Sequence, residues 1–167
     1  MRGRFQGNIS LGGFQTRYPK LKLRNEMFKI TLLTTGKTKE SWLNSALAEY
    51  TKRFRHSIEI QWRLAKDEPQ LEEWVLAETH YIALDPAGKL FTSEELSSFL
   101  FKEWEKQGSS LNLVIGGAAG LSESMRKKAK ALISLSPLTF THQMTRLILF
   151  EQLYRCLEIR RGSPYHK

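Results

Sequence analysis

Short apolar runs alternate with amphipathic stretches along most of this chain. That alternation predicts an α/β fold: a mostly parallel sheet with helices on both faces. Residues 28–34 read as a first strand. Across residues 40–54, Trp42, Leu43, Ala46, Leu47, Tyr50 and Phe54 recur at helical spacing, with lysine and arginine on the opposite face. Residues 58–64 alternate apolar and polar, as a half-buried strand does. Pro69 suits the first turn of a short helix reaching Glu78, and residues 81–84 form a third strand ended by Asp85-Pro86. Thr92 or Ser93, followed by Glu95, caps a helix that ends near Gly108. After a strand at 111–115 comes a helix capped by Ser122, with a basic face at Arg126, Lys127, Lys128 and Lys130. Residues 138–140 read as a short last strand and residues 144–159 as a long last helix.

One junction in this pattern points to a ligand. The run Leu111-Asn-Leu-Val-Ile115 passes directly into Gly116, Gly117 and Gly120. An apolar, β-branched run reads as a buried strand, and glycines at its carboxyl end let backbone amides approach a ligand with no Cβ in the way. Open α/β sheets bind ligands at that edge. A plain strand-to-helix turn explains the same glycines.

Composition narrows the partners. A chain of 167 residues, 41% hydrophobic, has material for one good core, and residues 27–167 read as one domain. The net charge of +9 favours a polyanionic partner, nucleic acid ahead of an anionic membrane surface. No apolar run approaches the roughly 20 residues of a membrane span, so a soluble, cytoplasmic protein with no membrane partner is expected. The single cysteine, Cys156, excludes an internal disulfide framework, and its place in an apolar helical pattern makes it a packing residue. Residues 1–26 stand apart. Arg2, Arg4, Arg17, Lys20, Lys22 and Arg24 against Glu26 give this segment +5 of the total charge, with four glycines and no sustained periodicity. A basic, flexible extension is expected there. Met27 opens the strand pattern and suits a true start, which makes the extension an upstream read-through. An RNA-binding arm and an organellar transit peptide are the competing readings.

Several chemistries fail on spacing. Gly36-Lys37-Thr38 follows a strand, but the earlier glycine of a phosphate loop would fall at Thr31. Gly116, Gly117 and Gly120 miss the G-x-G-x-x-G pattern and follow a late strand, against a nicotinamide site. One cysteine and four scattered histidines give no metal pattern, and no G-x-S-x-G turn is present. A group-transfer ligand held mostly by backbone remains, and S-adenosylmethionine fits, since adenine and a sulfonium need apolar walls and amide contacts.

Five blocks, in order, carry a family resemblance: Leu84-Asp-Pro-Ala-Gly-Lys89, Ile115-Gly-Gly-Ala-Ala-Gly-Leu-Ser122, Leu135-Ser-Pro-Leu-Thr-Phe-Thr-His142, Arg146 with Glu151-Gln-Leu-Tyr-Arg155, and Pro164-Tyr-His-Lys167. From Met27 onward the chain resembles the SPOUT methyltransferases of the ribosomal RNA large subunit methyltransferase H family, which methylate N3 of a pseudouridine in 23S rRNA. The resemblance implies a C-terminal trefoil knot, a homodimer, S-adenosylmethionine as cofactor, and 23S rRNA in the ribosome or large subunit as partner. It places Leu84, Gly116, Gly117, Ser136, Pro137, Leu138, Thr139, Phe140 and Thr141 at the cofactor, with Gly120 shaping the loop. Ala118-Ala119 stands where the family usually has Pro-Glu, which removes a carboxylate from that loop. Pro137 replaces a common small residue.

Methyl transfer to an imide nitrogen requires loss of a proton, so a base or cationic donors are expected. The resemblance points to His166 as base with Tyr165 beside it on the tail, and to Arg146 as holder of a phosphate or the target base. Arg155 pairs with Glu151 at i, i+4, and His142 reads as a packing or capping residue. The basic helix face with Lys52, Arg53 and Arg55 is expected to hold RNA backbone, by shape more than by sequence. A noncatalytic RNA-binding or ribosome-associated α/β-knot protein is the alternative.

Overall fold

The computed structural model describes residues 27–166, without the side chain of His166; the basic extension at residues 1–26 lies outside the described residues. Five strands, β1 (Phe28–Thr35), β2 (Ile58–Ala65), β3 (Ile82–Leu90), β4 (Ser110–Ile115) and β5 (Ala131–Ser134), form one sheet in the order β2-β1-β4-β3-β5. Every neighbouring pair is parallel. The helices are α1 (Ser41–Phe54), α2 (Glu68–Ala77), α3 (Ser93–Lys106), α4 (Glu123–Lys128) and α5 (His142–Arg161).

The period of two along each strand sorts the helices onto two faces. Ile30 and Leu32, Ile82 and Leu84, and Leu111, Leu113 and Ile115 point to one side, where α1, α3 and α5 add Leu43, Leu47, Leu100, Trp104, Leu149 and Phe150. Leu33, Ala83 and Val114 point to the other, where α2 and α4 add Leu71, Val75 and Met125. The strands in the middle are therefore apolar on both sides, which is why they read as continuous hydrophobic runs. Caps set the helix starts. Asp67 accepts from the Gln70 amide at α2, Thr92 and Glu95 form a capping box at α3, Ser122 accepts from Met125 at α4, and Thr141 accepts from Met144 at α5.

Two expected elements differ. Residues 138–140 are not a strand; the last strand is β5, at Ala131–Ser134. Leu138 is 70% exposed and lies in irregular backbone, because Pro137 has no N–H to give a ladder and the Leu138 amide is taken by the Ser136 hydroxyl. The helix before it ends at Lys128, so Lys130 belongs to the entry of β5, where its amide donates to the Tyr81 carbonyl at 2.9 Å. The third strand also runs past Asp85-Pro86 to Leu90. Ile133 of β5 pairs first with Leu84 and again with Lys89, so Asp85–Gly88 bulges out of the ladder. Gly88 permits it: a Cβ there would stand 2.6 Å from the Ile133 backbone.

Cys156 is fully buried on the larger face, as its pattern predicts, and burial pushes its thiol up to about 12. Only the thiolate reacts, so the folded protein at pH 8 is expected to leave Ellman's reagent untouched. One thiol per chain should titrate after addition of guanidinium chloride; rapid labelling without denaturant would show that this helix does not pack as described.

Candidate active site

The carboxyl ends of three adjacent strands, β4, β3 and β5, meet at one cleft. Leu84 and Asp85 come from β3, Ile115, Gly116 and Gly117 from the end of β4, and Ile133 to Ser136 from β5 and its exit. The segment leading to α5 closes it with Leu138, Thr139 and Phe140, and the first turn of α5 adds His142 and Thr145. Of the residues expected at a cofactor, Leu84, Gly116, Gly117, Ser136, Leu138, Thr139 and Phe140 line this single cleft. Thr141 lines the cavity beside it, and Pro137 is exposed and lines neither.

The glycine loop is built by crowding. A Cβ on Gly116 would lie 2.5 Å from the Gly120 backbone, so backbone packs on backbone with nothing between. Gly117 and Gly120 form an antiparallel bridge, the Gly120 amide donating to the Gly117 carbonyl at 3.1 Å, and Gly120 adopts φ +79 to close the turn. A Cβ on Gly117 would meet the Glu68 carboxylate at 2.5 Å and the Thr35 hydroxyl at 2.7 Å. Glu68, from the start of α2, therefore packs against the loop, and no local pattern in the sequence links it to Gly117. Opposite, the Ser136 hydroxyl accepts from the Leu138 amide at 3.0 Å, which fixes the turn through Pro137.

Asp85 is buried and shapes the β3 bulge. One oxygen accepts from the Ala87 amide at 2.9 Å, the other from Arg126 Nε at 2.8 Å. Arg126 is thus tied to the cleft rim. Lys127 pairs with Glu123, and Lys128 donates to the Leu76 carbonyl, so three members of the expected basic face are held within the protein.

The enclosed part of the cleft is about 170 Å³. Small-molecule sites usually span roughly 300–1,000 Å³, so a nucleoside-sized ligand would extend further. A second cavity of about 580 Å³ adjoins it across Gly117, Ala118 and Phe140, lined also by Trp42, Leu43, Gln143 and Met144. His142 lines both. Burial, then the nearby Arg146, hold its imidazole below the usual histidine value against the opposing pull of Glu68 and Glu40. At neutral pH the ring is uncharged.

Arg146 is fully buried and faces the turn after β1. Its Nη2 donates to the carbonyls of Thr35 at 2.6 Å and Gly36 at 2.9 Å, and its Nη1 to the Thr38 hydroxyl at 3.0 Å. Its guanidinium thus holds the β1–α1 turn against the first turns of α5. Tyr165 lies elsewhere. Gly162, at φ +68, caps α5 and turns the chain back, so the Tyr165 ring sits edge-on to Tyr154 at 4.9 Å with the Arg155 guanidinium 5.2 Å above it. Arg155 also makes the expected pair with Glu151, at 2.5 Å. Arg53 lies over the Tyr50 and Tyr154 rings, so this end of α1 and α5 carries the tail and a cationic surface together. His166 closes a 3-10 turn there, with its side chain outside the described residues.

A family model described as "Predicted SPOUT methyltransferase" matches residues 28–166. Among curated proteins, one of Protochlamydia amoebophila named ribosomal RNA large subunit methyltransferase H is 52% identical over 141 residues, covering 84% of this chain and all of that one. A protein of the same name from Clostridium acetobutylicum is 36% identical over 157 residues, covering 83% and 99%. Two solved structures share the fold. A probable methyltransferase from Bordetella pertussis has TM-score 0.52 at 11% identity, over 78% of this chain and 96% of that one. A probable methylase family protein from Haemophilus influenzae has TM-score 0.51 at 10% identity, over 86% and 72%.

Replacing Arg146 by Met should leave the buried Thr35 carbonyl without its donor, while exposed Gly36 can turn to water. A loss of about 1–3 kcal/mol is expected in denaturant unfolding, the cost of one unsatisfied buried group. A loss under about 0.5 kcal/mol would show that the turn does not depend on this guanidinium.

Proposed function

Because the chain belongs to the SPOUT methyltransferase family, we propose that it transfers a methyl group from S-adenosylmethionine to N3 of a pseudouridine in 23S rRNA. The observation that carries this reading is the single cleft at the ends of β3, β4 and β5, which gathers residues of the matching motifs from three distant parts of the sequence. S-adenosylmethionine supplies, when bound, an electrophilic methyl group on a cationic sulfur. The cleft suits such a ligand. Leu84, Ile115, Ile133 and Leu138 offer apolar walls, and the crowded glycine loop and the 136–140 segment present main-chain amides and carbonyls rather than a phosphate cradle. The carboxylate missing at Ala118-Ala119 does not alter these backbone contacts.

The protein's own contribution is to hold an imide nitrogen in line with the methyl group and exclude water from the gap, and positioning of that kind supplies much of the rate. The cavity beside Gly117 and Ala118 is where the target base would enter. The trefoil knot and the homodimer belong to this reading. The tail gives the dimer a chemical purpose: Tyr165 packs on Tyr154, twelve residues along α5 from His142, or about 18 Å at the helical rise. The tail of one copy thus lies far from its own cleft, and Tyr165 and His166 would close over the cleft of a second copy. Cations beside the tail, Arg53 and Arg155 among them, would then meet RNA phosphates at the same place.

Calorimetry should give saturable binding of S-adenosylmethionine, and ribosomes from a strain lacking the modification should gain one methyl group on the pseudouridine. Absence of both would leave the noncatalytic RNA-binding alternative. The reach of the tail has its own test. Gly116→Ala puts a methyl group into the Gly120 backbone and should disable the cleft, while truncation after Gly162 removes the tail. Mixing the two inactive variants should restore about a quarter of the wild-type rate, because half the dimers are then mixed and each has one complete site. No recovery would place the tail over its own cleft.

A further inference from the structure

The proton on N3 needs an acceptor, and the reading above leaves its identity open. Among the described residues that line both the cleft and the adjoining cavity, His142 is the one with a titratable side chain. It stands where a methyl donor and an incoming base would meet. Its neighbours also decide which ring nitrogen is free. Gln143 is pinned from two sides: its Oε1 accepts from Arg146 Nη1 at 3.4 Å, and its Nε2 donates to the Lys37 carbonyl at 3.3 Å. That fixes the amide so that Nε2, a donor, faces His142 Nε2 at 3.2 Å. The His142 nitrogen must accept, which places the ring hydrogen on Nδ1 and a lone pair on Nε2. The nitrogen accepts one amide hydrogen there, and an imide N–H can take the place of that hydrogen.

We propose that His142 is the proton acceptor of the transfer, with Gln143 and Arg146 as positioning residues that leave Nε2 as its accepting nitrogen. The inference rests on the methyltransferase reading and deepens it. As the N3 electron pair forms the new bond to carbon, the bond from that carbon to sulfur breaks and its electrons remain on the sulfur. The N3 proton passes to His142 Nε2, giving an imidazolium that later releases it to water. The charged groups facing the ring are Arg146 on its own helix, Glu68 on α2 and Glu40 before α1. Arg146 and burial keep the resting ring neutral and able to accept, while the two carboxylates favour the charged ring once the proton arrives. This gives Glu68, packed on Gly117, a part in the chemistry although it lies outside the cleft itself. It also moves to His142 the role that the sequence resemblance gave to His166.

The test joins rates to a titration that needs no turnover. Single-turnover methylation of ribosomes should fall on the acid side as His142 becomes protonated. His142→Gln should abolish that limb and slow the reaction about 100-fold, the low end of what a general base supplies. Glu68→Gln, which removes an anion and keeps the shape, should move the limb to lower pH. His166→Ala should leave the limb in place. In the free protein, the histidine resonance lost in His142→Gln should titrate below the usual value of about 6.5, and lower again in Glu68→Gln. A wild-type chain that transfers no methyl group to ribosomes would overturn the methyltransferase reading and this inference with it. A methylating chain whose His142→Gln variant keeps the acid limb, or whose His142 titrates unchanged in Glu68→Gln, would overturn this inference alone.

Discussion

A buried guanidinium with no carboxylate partner among the described residues holds the active end of this molecule together. Arg146 is fully enclosed and donates to two main-chain carbonyls and a hydroxyl of the turn between β1 and α1, with the Trp62 ring 5.7 Å from its guanidinium carbon. Burying such a charge is costly, and carbonyl dipoles repay part of that cost only while the turn keeps its shape. The carbonyl of Thr35 is one of those acceptors, and the hydroxyl of the same residue packs on Gly117. The same arginine orients Gln143 in the first turn of α5. One side chain thereby registers β1, the glycine loop and the α5 start against each other, and the last two line the cleft.

Much of this was legible in the pattern of residues. The caps at Thr92 and Ser122 and the burial of β4 on both sides follow from local chemistry and residue pattern, and the chain obeys both. The strand at 131–134 was hidden because it is four residues long and follows a basic helix so closely that its apolar run reads as a continuation. Leu138 and Phe140 drew the expectation of a strand through their hydrophobicity, yet they belong to a cleft wall and stay partly exposed. The site was legible wherever a motif is continuous, as at Gly116-Gly117 and at 136–141. It was illegible where it depends on distant packing. Nothing near Glu68 in sequence points to Gly117, and Asp85 reads as a turn residue although Arg126 makes it part of the rim. His142 stands next to a capping threonine, and its position at a helix start facing a glycine loop is a property of the fold alone.

Charge shows the same limit. The count of lysines and arginines suggests a broad cationic face on α4, but Arg126, Lys127 and Lys128 are each engaged with the protein. The arginines by the tail are also paired, Arg53 with Glu49 and Arg155 with Glu151, but they lie over aromatic rings as well. Such stacked guanidinium groups keep little conformational freedom, so they can meet a phosphate without much further ordering. Net charge predicts that a polyanion will be attracted; the ring contacts decide which surface receives it.

The order of the strands sets when the cleft can exist. β1, near the start of the described fold, pairs with β4 rather than with β3, and α5 supplies Leu149, Phe150, Leu153, Cys156 and Leu157 to the core of the sheet. During synthesis, the first strand waits with one edge open until residues 110–115 leave the ribosome, and its larger face stays uncovered until the last helix follows. Long-range pairing of this kind folds slowly and exposes apolar surface meanwhile. A nascent chain of this protein therefore keeps an apolar sheet face uncovered until nearly all of it has emerged, and a chain cut short within α5 lacks part of the core that covers that face.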